Sequence, residues 1–250
     1  MSQTTSSRPE TATASVIASS VIASSARQMQ LAIRARLLQN VTRLWPLLDA
    51  KRLDTTFPGW LRAMTMLVRS YRGQSAAAAS AAYRAMREQS TQSPAPASLV
   101  KIAPEPDPEW LNRAFGYSGP GMLSRDTARP NTALTVTLGT ASRVVLDAGR
   151  TTTLDTVKAD PVAVGWYRVT DGKPCAFCAL LASRGIVYKE HTVDFKAHND
   201  CGCSGAPAFS RTQDLPDVSR RAAQVYANRG DGDPLVAFRK AWAQHLAEGI

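Results

Sequence analysis

The stretch Met29–Leu48, MQLAIRARLLQNVTRLWPLL, decides the fold class. Its apolar positions Ile33, Leu37, Val41, Leu44 and Leu48 recur at steps of three and four, which places them on one face of a helix. Pro46 lacks an amide hydrogen and predicts a kink or a stop nearby. A second helix is expected after Pro58, with Trp60, Met64, Leu67 and Tyr71 on one stripe and Arg62, Arg69 and Arg72 facing elsewhere. Gly73 predicts a break. Ala76–Arg87 is nearly pure helix former, with small side chains that let another helix approach closely. The first hundred residues thus read as a helical hairpin or bundle over 15–92, behind a mobile Ser/Thr-rich segment over 1–14. The doubled Val-Ile-Ala-Ser-Ser at 16–25 is too short to mark a solenoid.

Composition narrows the class. Of 250 residues 44% are hydrophobic, but 39 of these are alanines, which favour helix and bury little area. This argues against an all-β fold and against a fully disordered chain. No run approaches the roughly 20 apolar residues of a membrane span. Thr11–Ala26 holds only Val16, Ile17, Val21 and Ile22 and does not make a signal peptide, so a reducing cytoplasm is the expected compartment. The formal charge of +10 is uneven. Residues 1–103 carry 13 Lys+Arg against 4 Asp+Glu, and the remainder 17 against 16. Such asymmetry suits an acidic partner, nucleic acid or protein, and equally a solvated helical face, because no compact basic cluster is present.

Five prolines between Ser93 and Pro108 predict an extended connection, continued by the Gly/Pro-rich Gly116–Pro130 after a short turn around Trp110–Phe115. A domain boundary is placed over 93–130. Leu134, Leu138, Ala141 and Val145 restart the helical period, although the alternation at 134–138 would also fit a strand, and a further short helix is expected over Arg150–Lys158. Val164–Thr170 and Ile186–Lys189 read as strands of a small domain over 131–210. Asp217 and Asp233-Pro234 are expected to open two closing helices over 211–250. The expected class is α+β, predominantly helical.

All four cysteines and two of the three histidines fall between 175 and 203, as Cys175-x2-Cys178 and His198-x2-Cys201-x-Cys203, with His191 between them. Two thiolates from a C-x2-C knuckle and a second cluster 19 residues on can close a tetrahedron around zinc or a similar thiophilic metal. The preferred set is Cys175, Cys178, His198 and one of Cys201 and Cys203, with His191 as a less favoured substitute. Lys173, Arg184 and Lys196 would offset the negative charge of thiolate ligands. Reduced buried cysteines and two disulfides are the competing readings. A site filled by four protein ligands would be structural, since catalysis needs an open position. A nucleophilic pair of Cys175 and His198, oriented by Asp194 or Asp200, is the enzymatic alternative. Ser183 and Ser204 read as turn residues and His245 as an ordinary helix residue.

The order of these features resembles a known family. A helical N-terminal half precedes Arg150, the strand Gly165-Trp166-Tyr167-Arg168-Val169, the knuckle Pro174-Cys175-Ala-Phe-Cys178, then Arg184-Gly185, Val187-Tyr188 and His198-Asn-Asp-Cys201-Gly-Cys203. Over roughly 130–210 this is similar to the phage Mu protein F-like head morphogenesis or minor capsid proteins of tailed phages, notably those of actinobacterial phages. The resemblance implies a minor virion protein in the capsid interior or at the portal vertex, assembled in the host cytoplasm. Its implied partners are the portal protein and the major capsid or scaffold protein, with packaged DNA as a candidate for the basic helices. Relatives are often labelled capsid maturation proteases, an activity for which this sequence offers no identifiable catalytic set. Two positions depart from the family's His-Pro-x-Cys-Arg-Cys, where Asn199 stands for the proline and Gly202 for the arginine.

Overall fold

The computed structural model describes residues 8–125, 130–189 and 194–248, with side chains described from residue 19 onward. The chain is predominantly helical α+β, as its composition implies. Helix α1 spans Arg8–Leu44 and α2 spans Leu53–Thr91, joined through a 3-10 turn at Trp45–Leu47 that contains Pro46. The part of the N-terminal segment that is described, from Arg8 on, is helical. The two helices run antiparallel, as the contacts of Ser19 with Ser90 and of Gln30 with Ser75 fix.

The expected helix start after Pro58 and the expected break at Gly73 do not occur. Helix α2 already begins at Leu53 and runs through Pro58, whose missing amide forfeits one bond close to the helix start. It also runs through Gly73, because one glycine costs only about 1 kcal/mol in a helix otherwise held by packing. Arg72, read as lying off the apolar stripe, is nonetheless buried. It donates to the carbonyls of Val144 at 2.8 Å and Pro104 at 2.7 Å.

The Pro-rich connection is irregular save for a 3-10 turn at Ala97–Leu99. It is fastened along the next long helix, because Lys101 and Ala103 donate their amides to the Thr156 and Thr152 hydroxyls, each at 3.0 Å. Helix α3 (Pro108–Gly116) opens on Asp107, whose carboxylate accepts from the Glu109 amide. A π-helical turn at Tyr117–Gly121 and the short α4 (Met122–Arg125) follow, where only Gly/Pro-rich chain was expected. Helix α5 is continuous over Pro130–Ala159, so 134–138 is helical and no separate helix begins at Arg150. It runs beside α2 in the same direction, with Arg72 against Val144 and Arg87 against Asp160. One apolar core draws on Leu37, Val41, Trp60, Met64, Leu111, Phe115 and Val145, and therefore on helices from both sides of the connection.

Strand β1 (Gly165–Val169) lies centrally in an antiparallel sheet of order β2-β1-β3, with β2 at Val187–Tyr188 and β3 at Ser204–Ala208. Strand β3 pairs along the whole of β1, from Gly165 against Ala208 to Val169 against Ser204. Its sequence, SGAPA, has none of the β-branched or aromatic residues that announce a strand, so periodicity passes over it. Between β1 and β2 lies α6 (Ala176–Ala182). The chain closes with α7 (Asp217–Ala227) and α8 (Pro234–Ala247). Asp233 caps α8, accepting from the amides of Leu235 and Val236. Asp217 is instead the first residue of α7 and pairs with Arg220, its charge favourable at the helix start. Among the described residues no helix is long and apolar enough to cross a membrane.

Candidate metal centre

Cys175 stands at the N-terminal cap of α6, and Cys178 lies in its first turn, so one helical turn aims both thiols to the same side. The partner loop precedes β3. There the Cys201 amide donates to the His198 carbonyl at 3.2 Å, and Asp200 takes a left-handed φ of 65° that turns the chain back. Fold and loop thus bring together side chains 20 to 25 residues apart. His198 Nε2 lies 3.3 Å from Cys175 Sγ and 3.5 Å from Cys178 Sγ, and Cys178 Sγ lies 3.6 Å from Cys201 Sγ. Cys203 joins Cys178 and Cys201 in a second, overlapping group.

These three separations are close to single edges of a tetrahedron, with Cys178 shared between the group of Cys175 and His198 and the group of Cys201 and Cys203. Ligand bonds of about 2.3 Å to sulfur and 2.0–2.1 Å to nitrogen imply edges of roughly 3.8 Å between two sulfurs and 3.6 Å between nitrogen and sulfur. The Cys/His groups could therefore hold a metal ion. The other face of the imidazole agrees: Nδ1 lies 2.5 Å from the Asn199 carbonyl, which fixes its hydrogen there and leaves the Nε2 lone pair toward the sulfurs. All four cysteines are free thiols, so the disulfide reading does not describe this fold.

The titration of these groups follows their contacts. Burial pushes the Cys175 thiol up, but the Cys178 amide and the His198 ring outweigh it and hold the thiol below its ordinary value. Hydrogen bonds from Cys178 and Cys203 depress Cys201 strongly, with help from the Arg150 charge, while Cys178, the donor, is driven up. Burial would lower the His198 pKa, yet its bonds to Asn199 and Cys175 raise it.

The cations beside the cluster are not those expected. Lys173 and Lys196 have exposed side chains, whereas Arg150 and Arg168 are buried against the loop. Arg150 donates to the Cys201 carbonyl at 2.6 Å, to the Cys203 carbonyl at 3.0 Å and to Asp147 at 2.7 Å. Arg168 donates to the Lys196 carbonyl at 2.7 Å and lies 3.8 Å above the Phe195 ring, whose centroid is 5.0 Å from Arg150. Its Nε and Nη1 are buried without a protein partner, and its charge bears on Cys203. The signal for both arginines was an arginine on an otherwise apolar helix face and one within a buried strand.

Other expected roles separate. Asp200 pairs with Arg34 at 2.8 Å rather than orienting His198, whose Nδ1 is taken by Asn199. Asp194 has an exposed side chain, and His191 lies outside the described residues. Ser183 closes α6, donating to the Leu180 carbonyl, and Ser204 begins β3. His245 stacks on Trp242 at 5.2 Å and is in neither Cys/His group. Gly202 lies against α1, where an added Cβ would come within 2.9 Å of Leu31 Cδ2, so a side chain at this position must displace Leu31.

A model of the VG15 protein family matches residues 18–229, which span α1 to the end of α7 with the whole Cys/His cluster. The chain belongs to the VG15 protein family. VG15 is a family of viral and phage proteins, so the match supports the phage origin implied by the motif order, but at the level of VG15 and not of the Mu protein F-like family specifically. No curated protein and no solved structure matches this VG15 protein.

Proposed function

We propose that this chain is a minor head protein of a tailed phage, acting with the portal and procapsid during assembly, and that its Cys/His cluster is a structural zinc site. The observation that carries the second part is closure. Three donor separations, His198 to Cys175, His198 to Cys178 and Cys178 to Cys201, lie near tetrahedral edges, and Cys178, Cys201 and Cys203 are buried among Phe195 and Ala197. Four protein ligands leave no position for water or substrate, and zinc supplies folding energy in such a site. Cys201 is favoured over Cys203 as fourth ligand because its sulfur lies 3.6 Å from Cys178 Sγ. The head role draws on VG15 membership together with the motif order across 150–203.

The test is the composition of virions. Purified particles should contain the chain at low copy number, and co-expression with portal and capsid proteins should co-purify it with the procapsid. Its absence from particles and procapsids alike would refute the head role. Metal analysis of protein purified without chelator should give about one zinc per chain, and a metal-free, folded chain would refute the zinc site.

One observation favours a second reading, a capsid maturation protease. Cys175 is exposed and pairs with His198 at 3.3 Å. The same Nε2 also faces Cys178, which suits a shared cation better than a nucleophile and base. Cleavage of a co-expressed capsid precursor, lost in Cys175→Ser with folding intact, would favour the protease. A DNA-binding role is weaker still. Arg27, Arg34, Arg69, Arg72 and Arg87 of the basic half engage Asp171, Asp200, Glu105, main-chain carbonyls and Asp160 within the chain. That role requires affinity falling steeply with salt.

A further inference from the structure

We propose that the metal is a bolt between two parts of the molecule, whose removal frees helices α6–α8 while α1, α2 and α5 stay folded. The inference rests on the metal reading above and adds what the ion controls.

The four donors come from two differently supported segments. His198 and Cys201 sit on a loop that Arg150 ties to the middle of α5 through the Cys201 and Cys203 carbonyls. Cys175 and Cys178 belong to α6, a helix of 7 residues. A helix so short has no stability of its own and depends on what it packs against. It has two working faces. Cys178 turns into the cysteine cluster, whereas Ala179 and Leu180 turn the other way, into a separate apolar cluster with Val218 and Ala222 of α7 and Phe238 and Trp242 of α8.

That second cluster shares no residue with the bundle core. Trp242 strengthens the link, because its indole Nε1 donates at 2.9 Å to the carbonyl of Pro174, the residue before Cys175. Helix α8 therefore holds the backbone from which the knuckle springs, and the apolar faces of α7 and α8 find their floor on α6. With the metal in place, α6 is clamped to the Arg150-held loop and offers α7 and α8 a fixed surface. Without it, the Cys175–Cys178 end of α6 is released, and the α7–α8 pair keeps its covalent tether through 209–216 but loses its floor. The bundle core contains none of these residues and has no reason to open.

The decisive measurement is hydrogen exchange on the full chain, zinc-loaded and after chelation, with zinc content measured on the same samples. The expected result is that amides of α6–α8 exchange at least about tenfold faster once zinc is removed, while those of α1, α2 and α5 are unchanged. A uniform loss of protection, or none in α6–α8 although zinc has left, would overturn the bolt and leave the zinc site standing. A chain that binds no zinc would overturn both. Linkage supplies a second arm, since a metal that secures α7 and α8 must itself be secured by them. Trp242→Ala, which touches no ligand, should speed zinc loss to a chelator several-fold with the bundle amides still protected. An unchanged rate of zinc loss would refute the coupling.

Discussion

Arg150 Nη2 donates to the Cys201 carbonyl at 2.6 Å, joining the middle of a 30-residue helix to a loop 51 residues away. Three further bonds from the same guanidinium reach the Cys203 carbonyl and Asp147. The cation thus fixes the backbone of two cysteines and places a positive charge where thiolates gather.

Arg150→Met keeps the aliphatic stem and removes these donors. Groups that orient metal ligands typically matter by 10–100-fold in affinity, so zinc affinity measured by chelator competition should fall at least about tenfold. Leaving two carbonyls unpaired in the interior should also cost about 3 kcal/mol in denaturant unfolding. An unchanged affinity would remove Arg150 from the support of the site.

Asp160 is fully buried and accepts from Arg87 Nε and the Tyr83 hydroxyl, each at 2.9 Å. Arg87 also donates to the carbonyls of Ser93 and Pro94, which anchors the start of the connection. Removing one partner of a buried pair leaves an uncompensated charge, so Arg87→Ala should destabilise by about 3–5 kcal/mol. Replacing both Arg87 and Asp160 by apolar residues should cost less than the sum of the single changes, which a double-mutant cycle measures.

Gly149 sets two tendencies against each other. Alanine is the better helix former by about 1 kcal/mol, so Gly149→Ala would stabilise an exposed helix. Here the added Cβ would lie 2.7 Å from Gln30 Nε2 and 2.8 Å from Ser75 Oγ, inside the mutual pair in which Ser75 donates to Gln30 at 2.6 Å and accepts from the Gly149 amide. Overpacking and the broken pair together should outweigh propensity, giving a net loss of about 2 kcal/mol in thermal or denaturant unfolding.

Tyr167 of β1 is buried in a cluster with Ala23 of α1 and Met86 of α2, and burial pushes its phenol up to about 12 from an ordinary value near 10. The folded state therefore favours the neutral form. Its contribution is fully present below about pH 10 and is lost as pH rises through about 12, at most about 3 kcal/mol. Stability of the wild type should fall more steeply over this window than that of Tyr167→Phe. Parallel curves would contradict the assignment. Tyr83, driven higher by burial and by Asp160, acts in the same sense at still more alkaline pH.

The helical stripes of α1 and α2 were legible because burial repeats with the helical period: Ile33, Leu37 and Val41, then Trp60 and Met64, are core residues as their spacing implies. Helix ends were less legible. Pro58 signals a helix start and Gly73 a break, but packing along 39 residues overrides both local signals. Strand β3 escaped notice because its partner β1 supplies the hydrogen bonds and burial that its own residues do not advertise.

The sequence by itself determined the helical class, the break at Pro46 and the cap at Asp233, because each depends on neighbours within a few positions. Tertiary structure decided what surrounds them. It selected Arg150 and Arg168 over the nearby lysines as the buried cations, gave Asp200 to Arg34, and set Cys201 at a tetrahedral edge from Cys178. These outcomes depend on contacts between residues up to 166 positions apart, whose geometry exists only once α1, α5 and the sheet have packed together.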